Sequence, residues 1–445
     1  MNQIIFEGIR CFHDLHTCPI KPITLLVGEN STGKTTFLAL TRIAWDIING
    51  DLNKDIFNEE PFLLGSYDQI ASFRGGRAGR IRTFTVGIQF DINLDSDQTG
   101  LFANNAKITA KFVQQGVESK PDEWIFECGE FSLTVKLPID QTNIEIIINT
   151  PKGVYKSGKI IRSLSWRNFS SLLLQDVIFL LSLDSAMRKI KKDSENQGTE
   201  ISDAELTNLE IVSSQIFNAL GERPYAFAPI RTKPKRTYDP LKTVYDPEGS
   251  HVPMILNKIL TDESKEGEVL RKALGFFGET SGLFKKIEVK RKGDKNSDPF
   301  QIGVKTTGPS FNLIDVGYGV SQALPIIVDI ILNPSGGTFL LQQPEVHLHP
   351  KAQAGLGSFL AYTAKEQNKR FIIETHSDYL IDRIRMDVRD KKYLNPDDIA
   401  ILYFEKLQGN VKIHELRLDE YGNIIDAPST YRQFFLEEER RMLGI

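Results

Sequence analysis

The apolar and polar positions divide the chain into three kinds of sequence. From Phe84 the alternation is strict: Phe84, Val86, Ile88, Phe90, Ile92 and Leu94 are apolar, with Thr85, Gly87, Gln89, Asp91 and Asn93 between them. A period of two with one apolar face is a half-buried strand of an antiparallel sheet. Shorter runs follow at Lys107–Val113, Trp124–Phe126, Phe131–Leu137 and Ile144–Ile148, so residues 84–150 read as a β-meander. Residues 165–220 change to helical spacing, with a greasy stretch at Leu172–Leu183, a charged run at Arg188–Asp193 and a polar break at Ser194–Gly198. Two more helices are expected within 240–300, beside a basic segment, Lys285–Lys292, with the composition of an edge strand guarded by lysines.

The third kind of sequence lies at the two ends. Residues 1–50 read as a strand, a second strand at Ile23–Val27, a glycine-bearing loop and a helix from Thr35. From residue 313 come a glycine-rich turn, a helix and a strand ending at Leu341. A helix near 351–367, the strand Phe371–Ile373, another helix and the strand Ile399–Phe404 complete the series. Two α/β segments far apart in sequence therefore form one sheet, interrupted by a long insertion.

Composition changes this picture little. With 445 residues, 40% of them hydrophobic, the chain is long enough for two or three domains and a substantial core. The net charge of −4 excludes a uniformly basic protein but not a local basic face. Cys11, Cys18 and Cys128 are too few and too scattered for a disulfide framework or a zinc site, which favours a reducing cytosol. No signal peptide is visible at Met1–Phe6, and Leu172–Leu183, with Gln175 and Asp176 inside it, is too short to span a bilayer. It reads as a buried helix, and Arg188–Asp193 as a solvated helix face.

The segment "GENSTGKTT", Gly28–Thr36, fits G-x-x-x-x-G-K-[ST] at every fixed position, after an apolar strand and before a helix. Gly28 and Gly33 let the backbone wrap closely around phosphates, and the amides of Asn30, Ser31, Gly33 and Thr36 with the helix N-terminus supply positive potential. Lys34 neutralises the outer phosphate oxygens, and the Thr35 hydroxyl is suited to ligate Mg²⁺. These residues predict binding of a nucleotide with Mg²⁺.

Four segments, "ITLLVGENSTGKTT", "VGYGVSQALPII", "LLQQPEVHLHP" and "FIIETHSDYLIDRIR", occur in the order and spacing of ABC-type ATPase heads. The chain resembles the stand-alone bacterial ATPases related to the OLD, RecF and SMC proteins, many of which serve in anti-phage defence systems of the Septu and PARIS kinds. "PYAFAPIRTKPKR" at 224–236 and "LDEYGNIIDAPSTYRQFF" at 418–435 match the same group. The resemblance implies an α/β ABC-ATPase head, a P-loop NTPase sheet flanked by helices, with residues 1–83 and 301–445 as its core. The apolar pattern adds an antiparallel β-subdomain at 84–160 and a mainly helical insertion at 161–300.

Read through this resemblance, Gly317–Gln322 is the signature motif, with Gly319, Ser321 and Gln322 facing the nucleotide of a second copy. One phosphate loop and one signature per chain imply a homodimer, or a higher homo-oligomer, with composite ATP sites. Gln69 is the candidate Q-loop residue that senses Mg²⁺ and the γ-phosphate, and His376 the switch histidine. His347 and His349 stand two apart without a third ligand and are expected at a helix entry and interface rather than on a metal.

Gln342 falls where relatives hold the Mg²⁺ shell with an acid, and Gln343 where many place the water-activating Glu. An amide oxygen is still a Mg²⁺ ligand but accepts no proton near neutral pH, so binding is expected to persist while hydrolysis slows, with Glu345 or Glu374 as partial substitutes. Nothing after Phe404 resembles the acid-rich nuclease domain of OLD-type proteins. The expectation is therefore a cytoplasmic, ATP-dependent sensor that controls a separate HNH or Toprim nuclease and has no membrane partner. The alternative is a RecF/SMC-like ATPase that binds DNA, and a third reading is an interaction protein with a dead nucleotide site.

Overall fold

The computed structural model describes residues 2–49, 55–75, 79–92, 104–136, 145–151, 153–156, 203–239, 244–261, 264–293, 295, 298–333 and 335–443. The expected helix at Leu172–Leu183, the charged run at Arg188–Asp193 and the break at Ser194–Gly198 lie outside them.

The chain opens with β1 (Gln3–Glu7), β2 (His16–Pro19), β3 (Ile23–Gly28) and α1 (Lys34–Ile48). A short hairpin, β4 (Asn58–Glu59) and β5 (Phe62–Leu63), leads to the single turn α2 (Tyr67–Ile70). Six strands follow: β6 (Thr83–Asp91), β7 (Asn105–Gln115), β8 (Glu118–Cys128), β9 (Phe131–Lys136), β10 (Glu145–Thr150) and β11 (Gly153–Lys156). Then come α3 (Asp203–Leu220), β12 (Tyr225–Phe227), α4 (Val252–Thr261) and α5 (Lys265–Ser281). Next are β13 (Lys286–Arg291), β14 (Phe300–Lys305), β15 (Ser310–Asn312) and α6 (Tyr318–Leu332). The last part holds β16 (Thr338–Gln342), α7 (Pro350–Glu366), β17 (Arg370–Glu374), α8 (Asp378–Arg389), β18 (Ile399–Leu407), β19 (Asn410–Leu418), β20 (Ile424–Ile425) and α9 (Gln433–Leu443).

Two units divide these elements. Residues 1–20, 29–223 and 404–413 form the first, and residues 21–28, 224–403 and 414–445 the second. The first is built on an antiparallel sheet in the order β11-β10-β9-β8-β7-β6-β1-β2. Its meander follows from the strict alternation, which turns Phe84, Val86, Ile88 and Phe90 to the buried side. Trp124 from β8 is fully buried and donates its indole N–H to the Ile47 carbonyl of α1 at 3.3 Å. In the same unit Phe57, Phe84 and Phe112 pack ring on ring, with Phe84 and Phe112 stacked at 5.3 Å. Near the far end of α1, Arg223 forks onto Asp46 at 2.7 and 2.8 Å and onto Glu59 at 2.6 and 2.7 Å. Burial pushes the Asp46 carboxyl up, and the bonds from Arg223 pull it back.

The second unit contains the parallel part of a sheet in the order β12-β16-β17-β3-β18-β19-β20. β16 and β17 are apolar on both faces and buried almost throughout, as strands covered by helices on both sides must be. Their register is level: Phe227 lies beside Leu341, Gln342 beside Glu374, and Glu374 beside Leu26. The carboxyl ends of β12, β16, β17 and β3 therefore emerge along one edge, where open α/β sheets bind ligands.

Two placements differ from the sequence expectation. β1 joins the antiparallel sheet through β2 and β6, not the parallel one. β12, inside the stretch expected to be mainly helical, is a parallel strand beside β16. Three residues are too few to carry a periodic signal, and burial against Phe339, whose ring stacks on Tyr225 at 5.5 Å, fixes it instead.

Candidate functional site

The phosphate loop begins at Gly28, the last residue of β3, and ends in the first turn of α1. Its backbone needs left-handed φ at three positions: Gly28 at 139°, Ser31 at 61° and Gly33 at 91°. Gly33 is required twice over, since a Cβ there would lie 2.5 Å from the Phe12 ring and 2.9 Å from the Cys11 sulfur. α1 starts at Lys34 without a side-chain cap, so its positive end faces the loop. Inside the loop the Lys34 amine, only 3% exposed, donates to the Glu29 carbonyl at 2.6 Å, and the Thr32 hydroxyl donates to the same oxygen at 2.8 Å. Asn30, Ser31 and Thr35 are exposed. Thr35 is thus open to solvent, whereas Thr36 is buried and its hydroxyl accepts from Arg10 at 3.0 Å.

Arg10 also ties α1 to the segment carrying Gln69. Its guanidinium donates to the Leu64 carbonyl at 3.0 Å and to the Gln69 carbonyl at 3.4 Å. The Gln69 side chain turns the other way: its oxygen accepts from the Ser66 amide at 2.9 Å, completing a capping box on α2. Gly65 above it, with φ at 91°, has room for that oxygen only because it lacks a Cβ. As it stands, then, the amide of Gln69 serves its own turn, and the phosphate-sensing role expected of it needs that cap to open.

In the second unit the end of β16 carries the two amides. Gln342, 6% exposed, donates from Nε2 to the Phe227 carbonyl of β12 at 3.4 Å. Gln343 sits in left-handed backbone at φ 41°, and its main-chain N–H donates to the Glu374 carbonyl at 2.8 Å. Two residues on, Glu345 is buried and accepts the main-chain N–H of His376 on Oε1 at 2.8 Å. Its other oxygen, Oε2, has no hydrogen-bond partner among the described residues. Burial pushes the Glu345 carboxyl up, opposed by the His376 amide, the Thr375 hydroxyl and the Arg231 charge. The imidazole of His376 is exposed at the end of β17. The strand ends thus bring together Gln342, Glu345 and His376. Among the described residues no cluster of three or more His, Cys, Asp or Glu side chains is arranged to hold a metal ion. His349 caps α7, its ring accepting the Ala352 amide at 3.4 Å.

The signature stretch opens α6. Gly317 caps the helix through its backbone alone, Gly317 and Tyr318 are exposed, and Ser321 and Gln322 are buried at 6% and 5% exposure. The Ser321 hydroxyl donates back to the Tyr318 carbonyl at 2.9 Å, leaving its lone pairs as acceptors. Gly319 passes close to the His347 carbonyl, 3.2 Å from where a Cβ would stand.

The AAA ATPase domain model AAA_15 matches residues 1–381. The chain belongs to this family. Among curated proteins it is similar to the OLD nuclease of Thermus scotoductus, 21% identical over 431 residues, covering 94% of this chain and 66% of that protein. It therefore spans just under two thirds of that relative's length. Among solved structures it is similar to an SMC head bound to the C-terminal winged-helix domain of ScpA, at 10% identity and a TM-score of 0.46 over 94% of this chain and 98% of that one. An SMC head domain from Thermotoga maritima matches at 10% identity and a TM-score of 0.39, over 93% and 98%.

In this AAA ATPase domain one polar residue of the strand-end layer escaped the reading of individual site positions. Arg231, in "PYAFAPIRTKPKR", lies four residues past β12 and is 2% exposed. The matching segment was the available signal, but one Arg among Lys233, Lys235 and Arg236 does not announce its burial. Among the described residues no helix is long and apolar enough to cross a membrane.

Proposed function

We propose that this chain is an ATP-operated switch: it binds ATP with Mg²⁺ at Gly28–Thr36, pairs with a second copy, and hydrolyses the nucleotide slowly. The observation that carries the reading is a contrast within the motifs. The phosphate loop is fully formed around Lys34, while the end of β16 offers two amides where hydrolysis calls for acids. Thr35 would hold Mg²⁺, whose charge offsets that of the phosphate oxygens. Lys34 and the α1 amides bind the phosphates, and His376 donates to the terminal phosphoryl oxygens. Glu345 is the carboxylate left to accept a proton from water. Ser321 and the start of α6 complete the site of the paired copy, because one chain carries one loop and one signature.

A slow hydrolase suits a timer better than a motor. The likeness to an OLD nuclease and the family resemblance favour anti-phage defence, with the destructive chemistry carried by a separate nuclease of HNH or Toprim type. Co-purification of a nuclease encoded beside this chain, released on ATP addition or turnover, is the expected result. A chain that binds ATP yet holds no such partner under any nucleotide condition would contradict it.

A RecF/SMC-like clamp is the second reading, favoured by the exposed lysines of the edge strand β13 and its flanks, Lys285, Lys286, Lys290 and Lys292. It predicts ATP-dependent duplex binding that weakens steeply with salt. Absence of ATP binding would leave only an interaction protein with a dead site.

A further inference from the structure

Within the second unit a cationic group lies buried just past the carboxyl end of β12. Arg231 is 2% exposed, and its Nε, Nη1 and Nη2 make no hydrogen bond among the described residues. The loop that carries it is held on both sides: the Ala228 amide donates to the Pro247 carbonyl and the Thr232 amide to the Glu248 carbonyl, each at 3.0 Å. The neighbour Ile230 is exposed, so the backbone turns the guanidinium inward while its apolar neighbour faces water. Glu345 acts on Arg231 only through space, and its own Oε2 is likewise without a partner. Burial brings the guanidinium pKa down to about 10, still far above neutral, so the group remains a cation.

A guanidinium presents five N–H donors in a rigid fork that fits a carboxylate or a phosphate. Buried without a partner it is unfavourable, and the usual resolution is an anion that binds there. The place argues for phosphate. β12 ends level with β16, so Arg231 follows the strand whose Phe227 carbonyl receives the Gln342 amide. The buried side chain of Gln342 in that layer brings no negative charge.

We propose that Arg231 is a built-in oxyanion receptor of the second unit and that its ligand is the terminal phosphoryl group of a bound nucleoside triphosphate. The inference rests on the nucleotide-binding reading above. It makes Arg231 a discriminator between tri- and diphosphate, with Glu345 Oε2 holding a water beside the phosphoryl oxygen.

The test uses the full chain with three ligands: a non-hydrolysable ATP analogue, ADP and inorganic phosphate, each followed by titration calorimetry and thermal melting. Arg231→Met keeps the length and the apolar stem while removing the charge. It is expected to lower affinity for the triphosphate about 10- to 100-fold, the scale of a lost charge-assisted hydrogen bond, and to leave ADP affinity within about twofold. Without nucleotide its melting temperature should equal or exceed that of the wild type, because an unpartnered buried charge has gone; Arg231→Lys should recover part of the triphosphate preference. An unchanged ATP-to-ADP ratio, equal losses for both ligands, or a lower melting temperature of the nucleotide-free Met variant would overturn the assignment. Stabilisation of the wild type by inorganic phosphate alone, lost in Arg231→Met, would move the receptor to free phosphate and overturn the nucleotide assignment. If the wild type binds neither nucleotide, the proposed function fails, a result distinct from any of these.

Discussion

The two buried cations, Lys34 and Arg231, are in opposite conditions. Lys34 has its amine on the Glu29 carbonyl, so its loop is internally satisfied and ready-made. Among the described residues no nitrogen of the Arg231 side chain has a hydrogen-bond partner. The difference teaches what each group is for. A parked amine exchanges a neutral acceptor for a charged one when phosphate arrives, so it suits general capture of any phosphate chain. An unpartnered guanidinium gains most from a ligand that reaches it, so it suits discrimination.

Breaking the first half of the comparison should give the largest effect. Lys34→Ala removes the charge opposite the phosphates and is expected to weaken ATP and ADP alike by about 100-fold or more, measured by calorimetry. Loss of one nucleotide only would assign discrimination to the loop and dissolve the contrast. Next comes the strand end. Gln342→Glu gives up the bond to Phe227 but adds a negative charge to the Mg²⁺ side, and turnover should rise about tenfold with little change in ATP affinity. Steady-state kinetics without a gain would count against the amide as the brake.

The smallest effect is expected at Glu345. Its buried carboxyl holds a proton above the ordinary carboxylate range, so the basic form and the turnover it supports appear only as pH rises through that raised value. Glu345→Gln should reduce the residual rate by several-fold and remove this acid limb. The folded state also binds that proton more tightly than the unfolded one. Stability from this group is therefore present below the unfolded pKa and is lost as pH rises through the folded pKa, and the Gln variant should flatten that loss. A pH profile identical in both proteins would take Glu345 out of the reaction.

How much could be read beforehand depended on how local the cause was. Gly28–Thr36 declares its shape because each left-handed turn calls for glycine or a small polar residue. The strict alternation from Phe84 likewise announced β6 and its place in a meander. β12 was hidden because its cause is tertiary: three residues become a strand only against β16. The same holds for Gln69, whose sequence context suggested a sensor but whose oxygen caps Ser66. Arg231 lay inside a matching segment, yet its distinction from Lys233 and Lys235 is burial, which no residue count conveys.

The central claim is that two copies share each nucleotide, the Lys34 loop of one completed by the Ser321 helix of the other. Mixing Lys34→Ala with Ser321→Arg tests it directly, since each variant alone has no intact site while a mixed pair keeps one. The account predicts that both proteins are inactive alone and that an equimolar mixture regains about a quarter of the wild-type ATPase rate, half the pairs being mixed with one live site in two. A mixture as inactive as its components, or a Ser321→Arg protein fully active alone, would contradict it.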